Sequence, residues 1–188
     1  MMKIGIISDT HGCVETWRKV YENYFKDAAL ILHAGDVLYH GPRNLILPEY
    51  NPKALIEELN GCPVPMVTAA GNCDAEVDAM VLNQPILSPY AYVMIEGKRI
   101  VINHGHLLDE EAIWQTAGCM QAVLFITGHT HVASLKKQEG IIWLNPGSPV
   151  SGLSKREDKK GTFAIIEDNR VFVMEVNTGE IILSDVMG

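Results

Sequence analysis

Residues 4–12 read IGIISDTHG, an apolar run that ends at Ser8 and is followed at once by Asp9, Thr10, His11 and Gly12. A short apolar run that stops at turn residues is typical of a buried strand. Four more segments pair an apolar run with a glycine and a polar residue able to bind a metal: LILHAGD (30–36), MVTAAGNCD (66–74), IVINHGH (100–106) and VLFITGHTH (123–131). Ligands bind beyond the carboxyl ends of parallel strands, so we expect these ends to meet at one crevice.

The segments around these runs indicate the fold class. In the first half, predicted strands over 3–8, 30–34 and 66–70 alternate with predicted helices over 14–26, 52–60 and 75–82. This alternation is typical of parallel βαβ units. The second half instead shows hairpin signals, with strands predicted over 91–96, 99–103, 123–127, 134–138, 141–145, 162–167 and 170–176. We therefore expect an α/β protein of two packed sheets covered by helices, with residues 37–50 as a long irregular segment.

The composition limits the classes of function. The chain has 188 residues, of which 47% are hydrophobic and 20% charged, so we expect one globular domain over residues 1–188. Its four cysteines form no CxxC pair, which favours reduced thiols and a cytoplasmic location. We find no segment long enough to span a membrane. The net charge of −8 disfavours binding to nucleic acid polymers.

The polar residues at the strand ends have the spacing of metal ligands. Three pairs are two residues apart, and such residues point the same way in an extended chain. Carboxylates, an amide and imidazoles suit Mn, Fe, Zn, Co or Ni better than Ca or Mg alone. The set exceeds what one open metal needs, so we expect two metals, with Asp36 as the bridging ligand. The candidate ligands are Asp9, His11, Asp36, Asn72, His104, His129 and His131.

The charge of such a centre points to its substrate. Two divalent cations with Asp9 and Asp36 would leave a charge of roughly +2 inside an acidic protein. A centre of this kind favours an anion together with a hydroxide. Paired metals can lower the pKa of a shared water and polarise phosphoryl oxygens, so phosphoester hydrolysis is the leading hypothesis.

Other polar residues near these segments also have predicted roles. His33 lies within an apolar strand, where a hydrogen-bonded core histidine is expected. His40 and Arg43, in the irregular segment, are candidates for contact with substrate phosphate. Cys73 follows Asn72 and is expected to point away from the metal that Asn72 binds, while still lining the pocket as a substrate-binding residue. Residues 145–148 (NPGS) are expected to form a turn that supports the site.

The motifs D-x-H, G-D, G-N-x-D, H-G-H and G-H-x-H, in this order and followed by N-P-G-S, resemble those of the calcineurin-like metallophosphoesterases. The G-N-C-D motif and the loop DVLYHGPRN (36–44) are similar to those of the small bacterial YfcE-type phosphodiesterases in particular. The resemblance implies two stacked mixed sheets flanked by helices, and a centre of two divalent metals that is often manganese.

The resemblance also implies roles for individual residues. One metal would bind Asp9, His11, Asp36 and His131, and the other would bind Asp36, Asn72, His104 and His129. Asn72, with the metals, would stabilise negative charge on the phosphoryl group, and His106 would either support the metal ligands from behind or contact the phosphate. Many members of the family have a histidine directly after the motif asparagine, but this chain has Cys73 there. The general acid is therefore open between His106 and a metal-bound water.

The leading functional hypothesis is a phosphodiesterase that cleaves a small phosphodiester by attack of a metal-bridging hydroxide. The alternative is a scaffold of the same fold, similar to the retromer subunit, with weak or no catalysis. A nuclease is disfavoured, because the chain is acidic and has no basic stripe rich in aromatic residues. Self-association through the apolar residues Leu45, Ile46 and Leu47 remains open.

Overall fold

Two mixed β-sheets lie face to face at the centre of the structure, a computed structural model that describes residues 2–188. The first sheet has seven strands in the order β12-β11-β10-β1-β2-β3-β4 and the second has five in the order β5-β6-β7-β9-β8. The strands of the first sheet are β1 (Ile4–Ile7), β2 (Leu30–His33), β3 (Met66–Ala69), β4 (Ile86–Leu87), β10 (Thr162–Glu167), β11 (Arg170–Glu175) and β12 (Ile181–Val186). Those of the second are β5 (Ala91–Ile95), β6 (Lys98–Ile102), β7 (Leu124–Ile126), β8 (Ser134–Gln138) and β9 (Ile141–Asn145).

Parallel pairing brings the predicted strand ends to the same edge. In the first sheet β1, β2, β3 and β4 pair in parallel, whereas β10, β11 and β12 form antiparallel pairs. In the second sheet β6, β7 and β9 are parallel, and β5 and β8 are the antiparallel edge strands. The carboxyl ends of β1, β2 and β3 are therefore adjacent, as are those of β6 and β7.

Helices cover the outer face of each sheet, and aliphatic side chains fill the space between the sheets. Ile6 and Leu32 of the first sheet and Ile126 and Leu144 of the second belong to this central core. The helices are α1 (Val14–Val20), α2 (Pro52–Gly61), α3 (Asp78–Val81) and α4 (Glu110–Cys119). Helices α1 and α2 share a core with the outer face of the first sheet, and α4 packs on the second sheet. The predicted α/β class, two stacked mixed sheets flanked by helices, is confirmed.

Several elements differ from the prediction. The helix predicted over 14–26 ends its α-helical part at Val20 and continues as a π-helix over Tyr21–Phe25. The helix predicted over 75–82 is reduced to the four residues of α3. Three elements were not predicted at all, namely β4, α4 and β12. Helix α4 did have a local sequence signal, because aspartate is a preferred residue at the start of a helix. The Asp109 side chain accepts a hydrogen bond from Ala112 N there (2.9 Å).

Residues 37–50 contain no helix or strand, as expected, apart from an isolated bridge between Cys13 and Tyr50. Leu45 and Ile46 are exposed to 75% and 66%, whereas Leu47 packs against Val150 and Leu153. Within residues 2–188, none of the helices combines the length and the apolar character needed to cross a membrane.

His33 is the hydrogen-bonded core histidine that the sequence predicts. Its ring is fully buried, its Nδ1 accepts from Gly35 N (3.1 Å), and its Nε2 lies 3.1 Å from Thr10 Oγ1. Thr10 donates its own proton to Val37 O (2.9 Å), so the hydroxyl oxygen accepts from His33 Nε2. The ring is therefore neutral, and burial lowers the pKa of His33 from 6.5 to about 4.

This burial makes the stability of the fold depend on pH. The unfolded His33 takes up a proton near pH 6.5, but the folded one does so only near pH 4. Acidification through this window therefore favours the unfolded state. The His33→Gln variant lacks this titration and serves as the reference. We expect the difference in free energy of unfolding, wild type minus variant, to fall by about 3 kcal/mol as the pH is lowered from 7 to 4. Urea titrations at several pH values measure this difference, and a difference that stays constant would contradict the prediction.

Candidate metal centre

Five of the seven predicted metal ligands form a buried cluster where the two sheets meet. His131 Nε2 lies 3.2 Å from Asp9 Oδ1, and His104 Nε2 lies 3.3 Å from Asp36 Oδ2. His11 Nε2 lies 3.7 Å from both Asp9 Oδ1 and Asp36 Oδ2. All five residues are at most 5% exposed. Strands β1, β2, β6 and β7 thus place their ligands around one point.

Backbone carbonyls fix the orientation of three imidazoles. The Nδ1 atoms of His11, His104 and His131 lie 2.7, 2.7 and 3.0 Å from the carbonyl oxygens of Tyr39, Ala34 and Leu153. A carbonyl oxygen can only accept, so each Nδ1 must carry the proton. The lone pair of each neutral ring is then on Nε2, which faces the cluster. This is the arrangement that proteins use to orient metal-binding histidines.

Two contacts in the cluster require a cation. His11 Nε2 and His131 Nε2 are 3.1 Å apart, although both carry lone pairs when the rings are neutral. His104 Nε2 is buried and lies 3.3 Å from Asp36 Oδ2, yet it has no assigned hydrogen-bond partner among the described residues. A proton or a metal ion would relieve both contacts. Since carboxylates and imidazoles are also a suitable donor set for a transition metal, these residues fit a metal centre.

The pKa shifts in the cluster show that it favours positive charge. Burial opposes ionisation of Asp9 and Asp36, but the neighbouring imidazoles outweigh it and hold the pKa of both carboxyl groups below 3.8. Burial alone would lower the pKa of His104, yet Asp36 and Asp9 raise it to about 9. Burial is likewise outweighed at His131, where Asp9 raises the pKa above 6.5. The carboxylates stay ionised and attract a cation.

The backbone of the ligand loops is strained. Eleven non-glycine residues of the described chain have positive φ, and five of these are predicted ligands: Asp9 (55°), His11 (44°), Asp36 (58°), His129 (69°) and His131 (58°). This left-handed region is uncommon for residues other than glycine, asparagine and aspartate, and such strain is concentrated at functional sites. The chain therefore adopts an uncommon backbone conformation at five of the seven predicted ligands.

The other predicted site residues surround the buried cluster. Asn72 and His129 line the crevice above it, and the backbone N–H of His129 donates to the Asp9 carboxylate (3.0 and 3.2 Å). The His129 ring centroid lies 5.4 Å from that of His104. The His106 ring lies 5.5 Å from His104 and 6.1 Å from His129, and its buried Nδ1 has no partner among the described residues. His106 is thus beside the cluster.

The orientation predicted for Cys73 was wrong. Its sulfur is within 4.8 Å of ligand atoms of His11 and Asp36, so it faces the cluster. Strict alternation does not apply here, because the chain leaves β3 and bends at Asn72 and Cys73. Burial and the Asp36 carboxylate raise the pKa of the thiol to about 12. Cys73 lines the crevice, as predicted, as a neutral thiol.

Asp74 is a positioning residue that the sequence analysis missed. Its carboxylate accepts hydrogen bonds from the backbone N–H groups of Asp36 (2.8 Å), Val37 (2.8 Å) and Gly71 (2.7 Å). It thereby ties the loop after β2 to the loop after β3. A side chain at Gly71 would collide with the Asp36 carboxylate. The aspartate of the G-N-C-D motif was a possible signal, but its role depends on contacts that spacing does not show.

The NPGS turn supports the ligand loops, as predicted. Asn145 Nδ2 donates to Gly128 O (2.6 Å) and Thr130 Oγ1 (3.0 Å) in the loop after β7. Ser148 Oγ donates to Asp9 O (2.8 Å) in the loop after β1. The turn therefore connects ligand loops from both sheets.

The crevice above the cluster has a volume of about 340 Å³, at the lower end of the range for small-molecule sites. Arg43 lines it, as predicted, and Lys155 lines it as well, although no motif pointed to that residue. His40 does not line it. Its ring instead packs against Tyr39 and Tyr50, with centroids 4.5 and 5.2 Å away.

Comparisons with known proteins agree with this geometry. A family model described as the calcineurin-like phosphoesterase superfamily domain matches residues 2–170. Phosphodiesterase YfcE of Escherichia coli strain K12 is 36% identical to this chain over 149 residues, which cover 79% of each protein. The solved structure of YfcE, a phosphoesterase from E. coli, matches with a TM-score of 0.86 and 29% identity and covers 100% of both chains.

A solved structure of vacuolar protein sorting 29 from Cryptosporidium parvum has the same fold. It matches with a TM-score of 0.71 and 18% identity and covers 98% of both chains. At this identity the match bears on the architecture alone. The family model, the relative with 36% identity and the candidate ligand cluster agree with one another, and the chain belongs to the calcineurin-like phosphoesterase superfamily.

Proposed function

We propose that this protein is a metal-dependent phosphodiesterase that hydrolyses small phosphodiesters. The observation that carries the proposal is the buried cluster in which two carboxylates and three correctly oriented imidazole Nε2 atoms converge. The 36% identity to a phosphodiesterase supports the same activity. The small crevice and the net charge of −8 favour a small substrate over a nucleic acid polymer.

We assign the proposed ligands to two divalent cations, with Asp36 shared between them. One cation would be held by Asp9, His11, Asp36 and His131, and the other by Asp36, Asn72, His104 and His129. Manganese is the proposed metal, with Zn, Fe, Co and Ni as alternatives that the same donors accept. When bound, the cations supply Lewis acidity, which lowers the pKa of water and polarises phosphoryl oxygens.

Two further side chains have proposed roles in the reaction. The Asn72 amide lines the crevice, and its proposed role is to donate a hydrogen bond to phosphoryl oxygens as their negative charge grows. His106 is a candidate proton donor to the leaving group, but burial and the nearby His104 lower its pKa below 6.5. The Cys73 thiol has a pKa of about 12 and is a weak acid. Proton donation is thus weak, which favours substrates with stable leaving groups.

Bis(4-nitrophenyl) phosphate and 4-nitrophenyl phosphate test this proposal in the presence of manganese. We expect turnover of the diester to exceed that of the monoester, and His129→Ala to reduce diester turnover roughly 10²-fold or more. Val132→Ala is the matched control, because Val132 lies in the same loop, is 39% exposed and does not line the crevice. A scaffold role would replace the proposal if the protein binds manganese tightly but hydrolyses neither ester.

The remaining assignments are also proposals. We propose that residues 1–188 act as one domain, that the protein works in the cytoplasm, and that single-stranded DNA is not a substrate. Incubation of the manganese-loaded protein with single-stranded DNA tests the last point. Cleavage of the DNA at a rate comparable to that of the small diester would overturn it.

A further inference from the structure

Two cationic side chains from different loops line the crevice above the metal centre. Arg43 belongs to the irregular segment 37–50, and Lys155 belongs to the segment that follows the NPGS turn. Their partners in the crevice wall include the proposed ligands Asn72, His129 and His131. Both cations therefore face the space that a bound substrate would fill.

Neither Arg43 nor Lys155 forms an ion pair within residues 2–188, whereas nearby basic residues in the chain do form ion pairs. Arg156, the next residue after Lys155, makes two 3.0 Å hydrogen bonds to Asp158, and Lys160 lies 3.8 Å from Glu180. The chain has 23 acidic residues against 15 basic ones, so carboxylate partners are plentiful. Two unpaired cations at one crevice are available for an anionic ligand.

The two loops are fixed to each other and to the metal ligands. Leu47 packs against Val150 and Leu153, and a Cβ at Gly152 would come within 2.9 Å of the Leu47 side chain. The loops also supply the carbonyl groups of Tyr39 and Leu153, which orient His11 and His131. In addition, Lys155 N donates to His131 O (3.3 Å). The backbone positions of both cationic residues are thus coupled to the metal centre.

The positive charge proposed for the crevice exceeds the charge needed to bind a simple phosphodiester. A simple diester carries one negative charge, whereas two divalent cations with Asp9 and Asp36 already leave a charge of roughly +2. Arg43 and Lys155 add two further positive charges at the crevice. A guanidinium binds phosphate or carboxylate through two parallel hydrogen bonds, and an ammonium adds a point charge.

We propose that Arg43 and Lys155 bind a second anionic group of the substrate, so that the preferred substrates are phosphodiesters that carry an additional phosphate or carboxylate. This inference rests on the proposed phosphodiesterase function and narrows its substrate class. It assigns the two residues to specificity, and the cleavage of the ester bond remains the task of the metal centre.

Two matched chromogenic diesters test the inference: thymidine 5′-(4-nitrophenyl phosphate) and the same compound with a 3′-phosphate. We expect kcat/KM of the wild type to be roughly 10-fold higher for the phosphorylated compound, since charged hydrogen bonds add this much affinity. Arg43→Gln and Lys155→Gln should each remove most of this preference through KM. The readout is the ratio of kcat/KM between the two compounds, so an effect of a variant that is shared by both compounds does not support the inference.

Lys159→Gln is the matched control, because it removes the same charge from the same loop at a residue that does not line the crevice. It should preserve the preference for the 3′-phosphorylated diester. Equal kcat/KM for the two diesters in the wild type would overturn the inference while leaving the phosphodiesterase intact. An equal effect of Lys159→Gln would also overturn it, since the cause would then be the overall charge of the protein.

A binding measurement separates failure of this inference from failure of the proposed function. Calorimetry on the manganese-loaded protein would compare thymidine 3′,5′-bisphosphate with thymidine 5′-monophosphate. If the wild type hydrolyses neither diester, the phosphodiesterase proposal fails. The assignment of Arg43 and Lys155 to a second anionic group still holds in that case if the bisphosphate binds more tightly and Lys155→Gln removes the difference, but it then describes a bound ligand and no longer a substrate. Equal affinities for the two nucleotides would overturn it.

Discussion

The Asp36→Asn variant is expected to lose at least about 10³-fold in kcat/KM for bis(4-nitrophenyl) phosphate and to retain less manganese. Asp36 lies between His11 and His104, 3.7 and 3.3 Å from their Nε2 atoms, and we propose that it binds both cations. An amide of the same shape removes the negative charge that attracts them. Enzyme kinetics and metal analysis of the purified variant measure the two losses.

The substitution should leave the fold intact. Asp36 Oδ1 accepts a hydrogen bond from Cys73 N (2.8 Å), and the asparagine oxygen can accept the same bond. Asp27→Asn is a suitable control, because Asp27 is an exposed residue in a surface pair with Lys3 (2.9 Å) and does not line the crevice. Two bound manganese ions and nearly unchanged turnover in Asp36→Asn would refute its bridging role.

Removal of the metals by a chelator is expected to reduce activity to about 1% or less and to lower the melting temperature, with both restored by manganese. Without a cation, the Nε2 atoms of His11 and His131 face each other at 3.1 Å, beside two ionised carboxylates. Metal that binds only the folded state stabilises it by about 2.7 kcal/mol at a free concentration 100 times the Kd.

The Asp36→Asn protein is the control for this thermal shift. Its melting temperature should respond less to the chelator, because it binds the metals more weakly. The wild type would show that the cluster is not a metal centre if neither its melting temperature nor its rate of diester hydrolysis changed after complete removal of metal.

The strand ends were predictable from sequence because their signals are local. An apolar run that stops at polar residues, with a glycine nearby, marks both the end of a buried strand and the position of a candidate ligand, as at Asp9 and Asp36. Parallel pairing of β1 with β2 and of β6 with β7 then brings these ends together. The fold class followed from the same pattern.

Other features depend on contacts between distant residues and left little trace in the sequence. Lys155 lines the crevice from a loop whose residues Val150 and Leu153 pack against Leu47 of segment 37–50. Asp74 acts through three backbone N–H groups on two loops. Cys73 faces the ligand cluster because the chain bends there, whereas the prediction assumed an extended strand. In each case the geometry of a loop determines where the side chain lies, and the spacing of residues along the chain does not describe that geometry.

The left-handed backbone at five of the proposed ligands restricts how a protein of this architecture can diverge. If such a protein lost its metals, the turns at Asp9, Asp36 or His131 would still demand the same torsion angles, which β-branched residues resist. Glycine and asparagine would be the natural replacements. A non-catalytic descendant of an enzyme would then still have small or amide side chains at these turns after the imidazoles and carboxylates had been lost. Such residues would identify it as the descendant of an enzyme.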